Sequence, residues 1–286
     1  MFTGFMVNTW IVASIVAAVG GLVGFFVVLR GSAFVAHAVP KGAFAGAAAA
    51  SLLGLNPILG LGVASILGAL GINWLGRRGR HDAAVALILS LMLALGALFV
   101  SWNTQYEAEI FALLFGEVLG INSGQIGPTA LLAAVCAAIV VALFRPLLLA
   151  SAMPDMAEAA GVRTRRLEVA FLIIVALATT LTLPVVGALL IFSLMIGPAA
   201  AARLLTANPI SALLLSVALA LGVVWLSIAG AYQWDLPVGF LVGTLSTLFY
   251  ALTRGWVLWQ HRHYTRGDTP ATVASARPHQ TTSPQP

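Results

Sequence analysis

Apolar residues fill nine long segments of the chain, and short polar stretches with prolines and glycines separate them. By number the segments are 9–29, 36–54, 57–76, 83–102, 127–146, 167–184, 186–204, 209–231 and 237–256. A helix needs about 20 largely apolar residues to cross the hydrocarbon core of a bilayer. The pattern therefore predicts an all-α, polytopic membrane protein with nine transmembrane helices, or eight if the sixth and seventh segments form one broken element.

Prolines mark many of the predicted borders. We expect turns at Asn56-Pro57, Pro128, Pro184, Asn208-Pro209 and Pro237, because proline interrupts a helix interior. Asp235, just before Pro237, is expected to cap the start of the last segment. The second segment is the least apolar, rich in Gly and Ala and carrying Lys41. Such small residues suit close helix packing or a cavity wall.

The arginines indicate an orientation. They follow the odd-numbered segments or lie in the polar loop after the fifth one: Arg30, Arg77, Arg78, Arg80, Arg145, Arg163, Arg165, Arg166, Arg203, Arg254, Arg262 and Arg266. Nine spans place all of them on one side, which the positive-inside rule makes the cytoplasm. The N-terminus is then outside and the C-terminus cytoplasmic. Residues 103–125 lie outside, with three glutamates and no Lys or Arg.

Composition excludes a soluble protein and explains the basic balance. Hydrophobic residues make up 60% of the chain and charged residues 8%, whereas soluble domains are about 25% charged. The formal net charge of +5 reflects topology, since no basic face for nucleic acid is present. Residues 1–258 are predicted to form a transmembrane domain, and the polar, Pro- and Thr-rich residues 259–286 a disordered cytoplasmic tail.

The most informative polar stretch joins the fifth and sixth segments. In SAMPDMAEAAGVRTRR, Asp155 and Glu158 stand early in a short helical pattern, where carboxylates favour a helix N-terminus. The alanines 157, 159 and 160 offer a small-residue face, and Gly161 can end the helix. Two interpretations stay open from this spacing: a docking helix for a partner, or a plain interfacial loop.

These residues also carry a resemblance. Residues 153–162, MPDMAEAAGV, resemble the cytoplasmic coupling loop of bacterial ABC-importer permeases of the zinc and manganese family. Four further stretches are similar to the same family in the same order: FFVVLRGSAFVAHAVPKGAFAG (25–46), LLFGEVLGINSGQI (113–126), VVGALLIFSLMIGPAAAARLL (185–205) and DLPVG (235–239). The resemblance covers about residues 8–256, everything but the tail.

The resemblance implies a permease bundle in a bacterial cell membrane, surrounded by lipid and paired with a second copy of itself. It implies a cytoplasmic ABC ATPase docked through Pro154, Asp155, Ala157, Glu158, Ala159 and Gly161, and an extracytoplasmic metal-binding protein. The chain has no Walker A pattern, so ATP hydrolysis is expected from a separate subunit and no catalytic residue or bound cofactor here. The implied substrate is a divalent metal ion such as Zn²⁺, Mn²⁺ or ferrous iron.

His37 and Glu117 are the candidate metal residues. An ionisable side chain inside a span is a functional candidate, and neutral imidazole is a common ligand for such metals. In the family, an aspartate stands four residues before this histidine, whereas here that position is Ala33. Glu117 is a candidate substitute, because the family usually has a neutral polar residue there. A histidine hydrogen-bonded between helices is the structural alternative for His37.

Two rival functions remain at this point. One is an ABC permease for a metal chelate, which shares the architecture but usually has an additional span and other loop motifs. The other is a secondary transporter driven by an ion gradient, a class in which paired inverted repeats are common. The chain shows no clear internal repeat and few acids within its apolar segments. The metal importer is therefore the preferred interpretation.

Overall fold

The computed structural model describes residues 5–76, 81–102, 123–188 and 191–264. These residues form eleven helices, which we number α1 to α11 in chain order. They are α1 Phe5–Leu29, α2 Ala33–Leu52, α3 Pro57–Leu75, α4 His81–Trp102, α5 Ser123–Ala142, α6 Phe144–Ala152, α7 Pro154–Ala159, α8 Thr164–Val186, α9 Ile191–Leu205, α10 Pro209–Trp234 and α11 Val238–Tyr264.

The predicted all-α membrane fold is confirmed. Within the described ranges, seven helices are long and apolar enough to cross a bilayer, namely α1, α3, α4, α5, α8, α10 and α11. The weak second segment forms α2, and the seventh segment forms the short apolar helix α9. The fifth segment, 127–146, runs past the end of α5 at Ala142 into α6, whereas each of the other predicted segments corresponds to one helix. The sixth and seventh segments are separate elements, α8 and α9.

Helix α1 occupies the centre of the bundle. It packs against α10, α9, α5 and α8, and its buried side chains belong to the main hydrophobic core. The Ser216 hydroxyl of α10 donates a hydrogen bond of 2.8 Å to the Gly21 carbonyl of α1. At Gly24, a Cβ atom would overlap the backbone of Met195 in α9. Glycine is required at this position because two backbones meet there.

A second close crossing joins α2 to α3. A Cβ atom added to Gly46 would overlap the carbonyl oxygen of Gly60, and one added to Gly60 would overlap that of Gly46. The alanines around them, Ala50 and Ala64, would also be struck by these added atoms. The small residues that weaken the second segment as a membrane span are thus the ones that bring the two helices together.

The polar and proline signals were only partly interpreted correctly. The chain turns at Asn56 and Asn208 as predicted, and there the two side-chain oxygens cap α3 and α10. Pro128, however, lies inside α5. The prediction of a turn there was wrong: Pro128 is the sixth residue of α5, and the helix continues through it without the one backbone hydrogen bond that proline cannot donate. Pro184 also lies within a helix, near the end of α8, which stops at Gly187 with a φ of 89°.

Asp235 does not cap α11. It follows the last residue of α10 in the left-handed conformation, with a φ of 54°, and aspartate is among the residues that tolerate this region. The turn between α10 and α11 therefore uses Asp235 as the end of one helix instead of the start of the next. Helix α11 continues to Tyr264, and the division into a domain of residues 1–258 and a tail from 259 stays a prediction.

Candidate docking helix and substrate path

Helix α7 is a short helix of six residues with a defined start and end. Pro154 stands at its first turn and Asp155 supplies the acidic residue there, where a negative charge favours the helix dipole. Gly161 has a φ of 75°, and its N–H donates to the Glu158 carbonyl at 3.0 Å. The Val162 N–H donates to the Ala157 carbonyl, also at 3.0 Å. Gly161 thus ends the helix as its sequence position predicted.

The two faces of α7 differ. Ala157 is fully buried, with 0% of its surface exposed, whereas Asp155, Glu158 and Ala159 are exposed. Helix α7 packs on α6 and α8, and the Thr164 hydroxyl at the start of α8 donates to the Glu158 carboxylate at 3.1 Å. Ala157 and Ala159 therefore lie on different faces of α7, and a docking role for these residues stays a prediction. Ala157 packs against the bundle, and the exposed side of α7 carries Ala159 together with the two acidic residues.

Arg30, at the turn between α1 and α2, lies next to α6 and α8, the two helices on which α7 packs. Its guanidinium Nη1 lies 3.5 Å from the Ser151 hydroxyl of α6, and its charge lies 4.8 Å from the centre of the Phe171 ring of α8. Burial lowers the pKa of Arg30 from its ordinary value, and the nearby Glu168 carboxylate acts in the opposite direction. Arg30 therefore ties the start of α2 to the helices that carry α7.

We expect Arg30→Met to destabilise the packing of the α1–α2 turn against α6 and α8. The variant keeps an apolar stem but loses the polar contact with Ser151, the ring contact with Phe171 and the attraction to Glu168. A loss of about 1 kcal/mol, typical of one such interaction, would lower the melting temperature in detergent by about 2–4 °C. Arg254→Met is the control, because Arg254 bonds the Tyr250 hydroxyl in an exposed setting. An equal shift in both variants would contradict the role of Arg30.

His37 lies on the second turn of α2, seven residues after Arg30. Its side chain is half-buried, and its ring meets the Phe192 ring of α9 edge to face, with centroids 5.0 Å apart. Its Nε2 atom lies 2.9 Å from the Lys41 Nζ atom one turn further along. Ala33 is the first residue of α2. The family resemblance predicts a carboxylate at this position, and the chain has a methyl group there instead.

The candidate metal residues are not assembled into a complete site. Among the residues that the structure describes, no three His, Cys, Asp or Glu side chains come together as a metal site would require. Glu117 and most of the acidic stretch 103–125 lie outside the described residues. His37 therefore has a defined setting, whereas the pairing of His37 with Glu117 stays a prediction.

Sequence reasoning missed the local roles of two cations. Arg30 was interpreted only as a marker of topology, and Lys41 only as a sign that the second segment is a poor span. The spacing of Lys41, four residues after His37, was the available signal, because residues at i and i+4 share a helix face. No comparable signal in the sequence joins Arg30 to Ser151, since 121 residues separate them.

Comparisons with known proteins agree with this architecture. The family model of the ABC 3 transport family matches residues 3–254. The manganese transport system membrane protein MntC of Listeria innocua is 31% identical over 205 residues, covering 71% of this chain and 73% of its own. The probable iron transport system membrane protein of Haemophilus influenzae is 26% identical over 250 residues, covering 87% and 92%.

A solved structure shows the same bundle. A chain of PsaBC from Streptococcus pneumoniae, solved in complex with Fab, superposes with a TM-score of 0.79 at 25% identity, covering 88% of this chain and 91% of the other. The family match spans all but the last part of the chain, and it includes α2 with His37 as well as α7. This chain belongs to the ABC 3 transport family.

Proposed function

We propose that the chain is the membrane permease subunit of an ABC importer for a divalent first-row metal ion. Membership of the ABC 3 transport family supports the transporter class. The names of two relatives, one a manganese and one an iron transport protein, make Mn²⁺ and Fe²⁺ the first cargoes to test. Zn²⁺ stays a third candidate, because these ions share ligand types and selectivity depends on geometry.

The observation that carries the proposal is the exposed side of α7, which bears the carboxylates of Asp155 and Glu158. A short helix anchored by buried Ala157, with Asp155, Glu158 and Ala159 exposed, presents a small rigid surface. Such a surface suits an inserting contact with a partner protein, and its exposed carboxylates suit a basic groove. The proposed partner is a cytoplasmic ABC ATPase, with one ATPase for each of two copies of this chain.

The packing also supports a route from the ATPase to the substrate path. Helix α7 packs on α6 and α8, and Arg30 contacts side chains on both of those helices. Arg30 lies three residues before α2, which carries His37. In the proposed mechanism, ATP-driven movement of α7 rocks these helices and opens the path alternately to each side, with cargo delivered by an extracytoplasmic binding protein.

We expect Ala159→Trp to weaken ATPase docking by at least about tenfold, which corresponds to roughly 1.4 kcal/mol. Ala159 is exposed, so a large side chain there obstructs a partner without disturbing the packing beneath. Co-purification of a tagged ATPase with the permease, followed by titration of the ATPase on immobilised permease, measures the change. The expected result is a faster-dissociating complex with an unchanged melting temperature of the permease.

Ala207→Trp is the matched control. Ala207 is also exposed and lies in the loop between α9 and α10, predicted to face the same side of the membrane. Full docking by Ala159→Trp, or equal losses in both variants, would contradict the assignment of α7. Uptake of Mn²⁺ into vesicles that contain the permease and no ATPase would instead support a secondary transporter.

A further inference from the structure

Lys41 contacts the Nε2 atom of His37, one of the two ring nitrogens through which a histidine can coordinate a metal ion. The Lys41 Nζ atom lies 2.9 Å from His37 Nε2, and both side chains are half-buried. A lysine ammonium has three donors and no acceptor, so a charged Lys41 can bond a neutral His37 ring only by donating to Nε2. A ring that accepts at Nε2 carries its proton on Nδ1. In that bond the Nε2 lone pair, through which this nitrogen would coordinate a metal ion, accepts the hydrogen bond from Lys41.

The ring of His37 is held in this arrangement from a second side. Phe192 of α9 meets the imidazole edge to face at 5.0 Å between centroids, and α2 and α9 pack against each other. Lys41 follows on the same face of α2, one turn ahead. Lys41 itself is long and flexible and half-buried, so the ammonium can leave while the ring stays in place.

We propose that Lys41 is an internal competitor for the metal ion at His37, an inference that rests on the proposed transport function. The ammonium occupies Nε2 between transport events, and a divalent ion binds this nitrogen only while the lysine is displaced. A metal–nitrogen bond is about 2.0–2.1 Å long, so the ion and the lysine cannot share the nitrogen. The lysine charge also opposes a cation beside it.

The competitor makes His37 a transit ligand instead of a resident metal site. A transport path must bind its ion strongly enough to admit it and weakly enough to release it. Ala33, one turn before His37, offers no charge to attract the ion, and Lys41 adds a repulsion one turn after His37. Both features shift His37 toward brief contact with the cargo.

Mn²⁺ binding to the purified full-length chain tests the proposal directly. We expect Lys41→Met to bind Mn²⁺ at least about tenfold more tightly than the wild type by calorimetry. Lys41→Arg, which keeps the charge and the donors, should stay near the wild type. The gain should disappear in the double variant Lys41→Met/His37→Gln. Lys41→Gln, which is polar and uncharged, replaces Lys41→Met if that variant does not fold.

A spectroscopic readout tests the hydrogen bond without any metal. The chain has five histidines, and ¹⁵N-histidine NMR, with His37→Gln to assign the signal, reports which ring nitrogen carries the proton. We expect the Nδ1–H form at His37 in the wild type and a shift toward Nε2–H in Lys41→Met. A wild-type Nε2–H form would overturn the proposal.

The outcomes separate this inference from the proposed function. Unchanged or weaker Mn²⁺ binding in Lys41→Met, or a gain that persists in the double variant, overturns the competitor role even if the assembled complex transports metal. Failure of the wild-type complex with its ATPase to carry Mn²⁺, Fe²⁺ or Zn²⁺ overturns the proposed function. The binding and NMR measurements do not depend on transport.

Discussion

Gly46→Ala is expected to destabilise the bundle by about 3 kcal/mol, the upper part of the range for overpacked cores. The added methyl group would overlap the carbonyl oxygen of Gly60 and the side chain of Ala64. A backbone carbonyl cannot rotate aside as a long side chain can, so α2 and α3 must separate. Helix α2 carries His37 and Lys41, and separation therefore also displaces the proposed substrate path.

The sign of this effect distinguishes packing from helix propensity. Alanine normally favours a helix over glycine by about 1 kcal/mol, so Gly255→Ala in α11, where an added Cβ meets nothing within 4 Å, should leave stability unchanged or raise it. Thermal melting of both variants in detergent, followed by size-exclusion chromatography, measures the difference. A Gly46→Ala variant as stable as Gly255→Ala would show that the two helices do not cross this closely.

His37→Ala is expected to reduce metal uptake by the assembled complex by roughly 10–100-fold, the range seen when groups around a metal ion are removed. Among the described residues of α2, His37 has the side chain that can coordinate a divalent ion. Its ring packs edge to face against Phe192. Removal leaves Lys41 without the acceptor that it uses in the wild type. A freed positive charge in the path adds to the loss.

Uptake of ⁵⁴Mn²⁺ into vesicles containing the permease and its ATPase measures this change. Phe34→Ala serves as control, because Phe34 is an exposed side chain on the same helix and its removal shortens the residue without touching His37. Normal ATPase association in both variants establishes that the bundle has folded. Wild-type uptake by His37→Ala would remove this histidine from the path and leave the transport assignment to be tested on other residues.

Much of the fold was predictable because the membrane imposes a strict length on apolar segments. Eight of the nine predicted segments each correspond to one helix, and the fifth continues from α5 into α6. Two of the predicted turns lie where Asn56 and Asn208 cap the helices that follow. Pro128 was misinterpreted because a proline signal does not say whether a helix begins before it or after it. Asp235 was misinterpreted because capping residues at the start of a helix and left-handed residues at its end share the same residue types.

The site was less predictable, for a physical reason. Short-range features, such as the end of α7 at Gly161, follow from neighbouring residues and were anticipated. Burial of Ala157 against exposure of Ala159 depends on how α7 lies on α6 and α8, which no local pattern specifies. The contact of Arg30 with Phe171 likewise arises only when distant helices meet.

The central position of α1 has a consequence for how the protein is made. Helix α1 leaves the ribosome before the other described helices, and the α10 serine that bonds Gly21 follows 195 residues after that glycine. At about 5–20 residues per second, synthesis of that interval takes roughly 10–40 seconds. During this time α1 can pack against the earlier helices α5 and α8, but Gly21 lies in the lipid or beside the insertion machinery without its partner from α10. Co-translational insertion must therefore leave the α10-binding surface of α1 accessible until α10 has been translated.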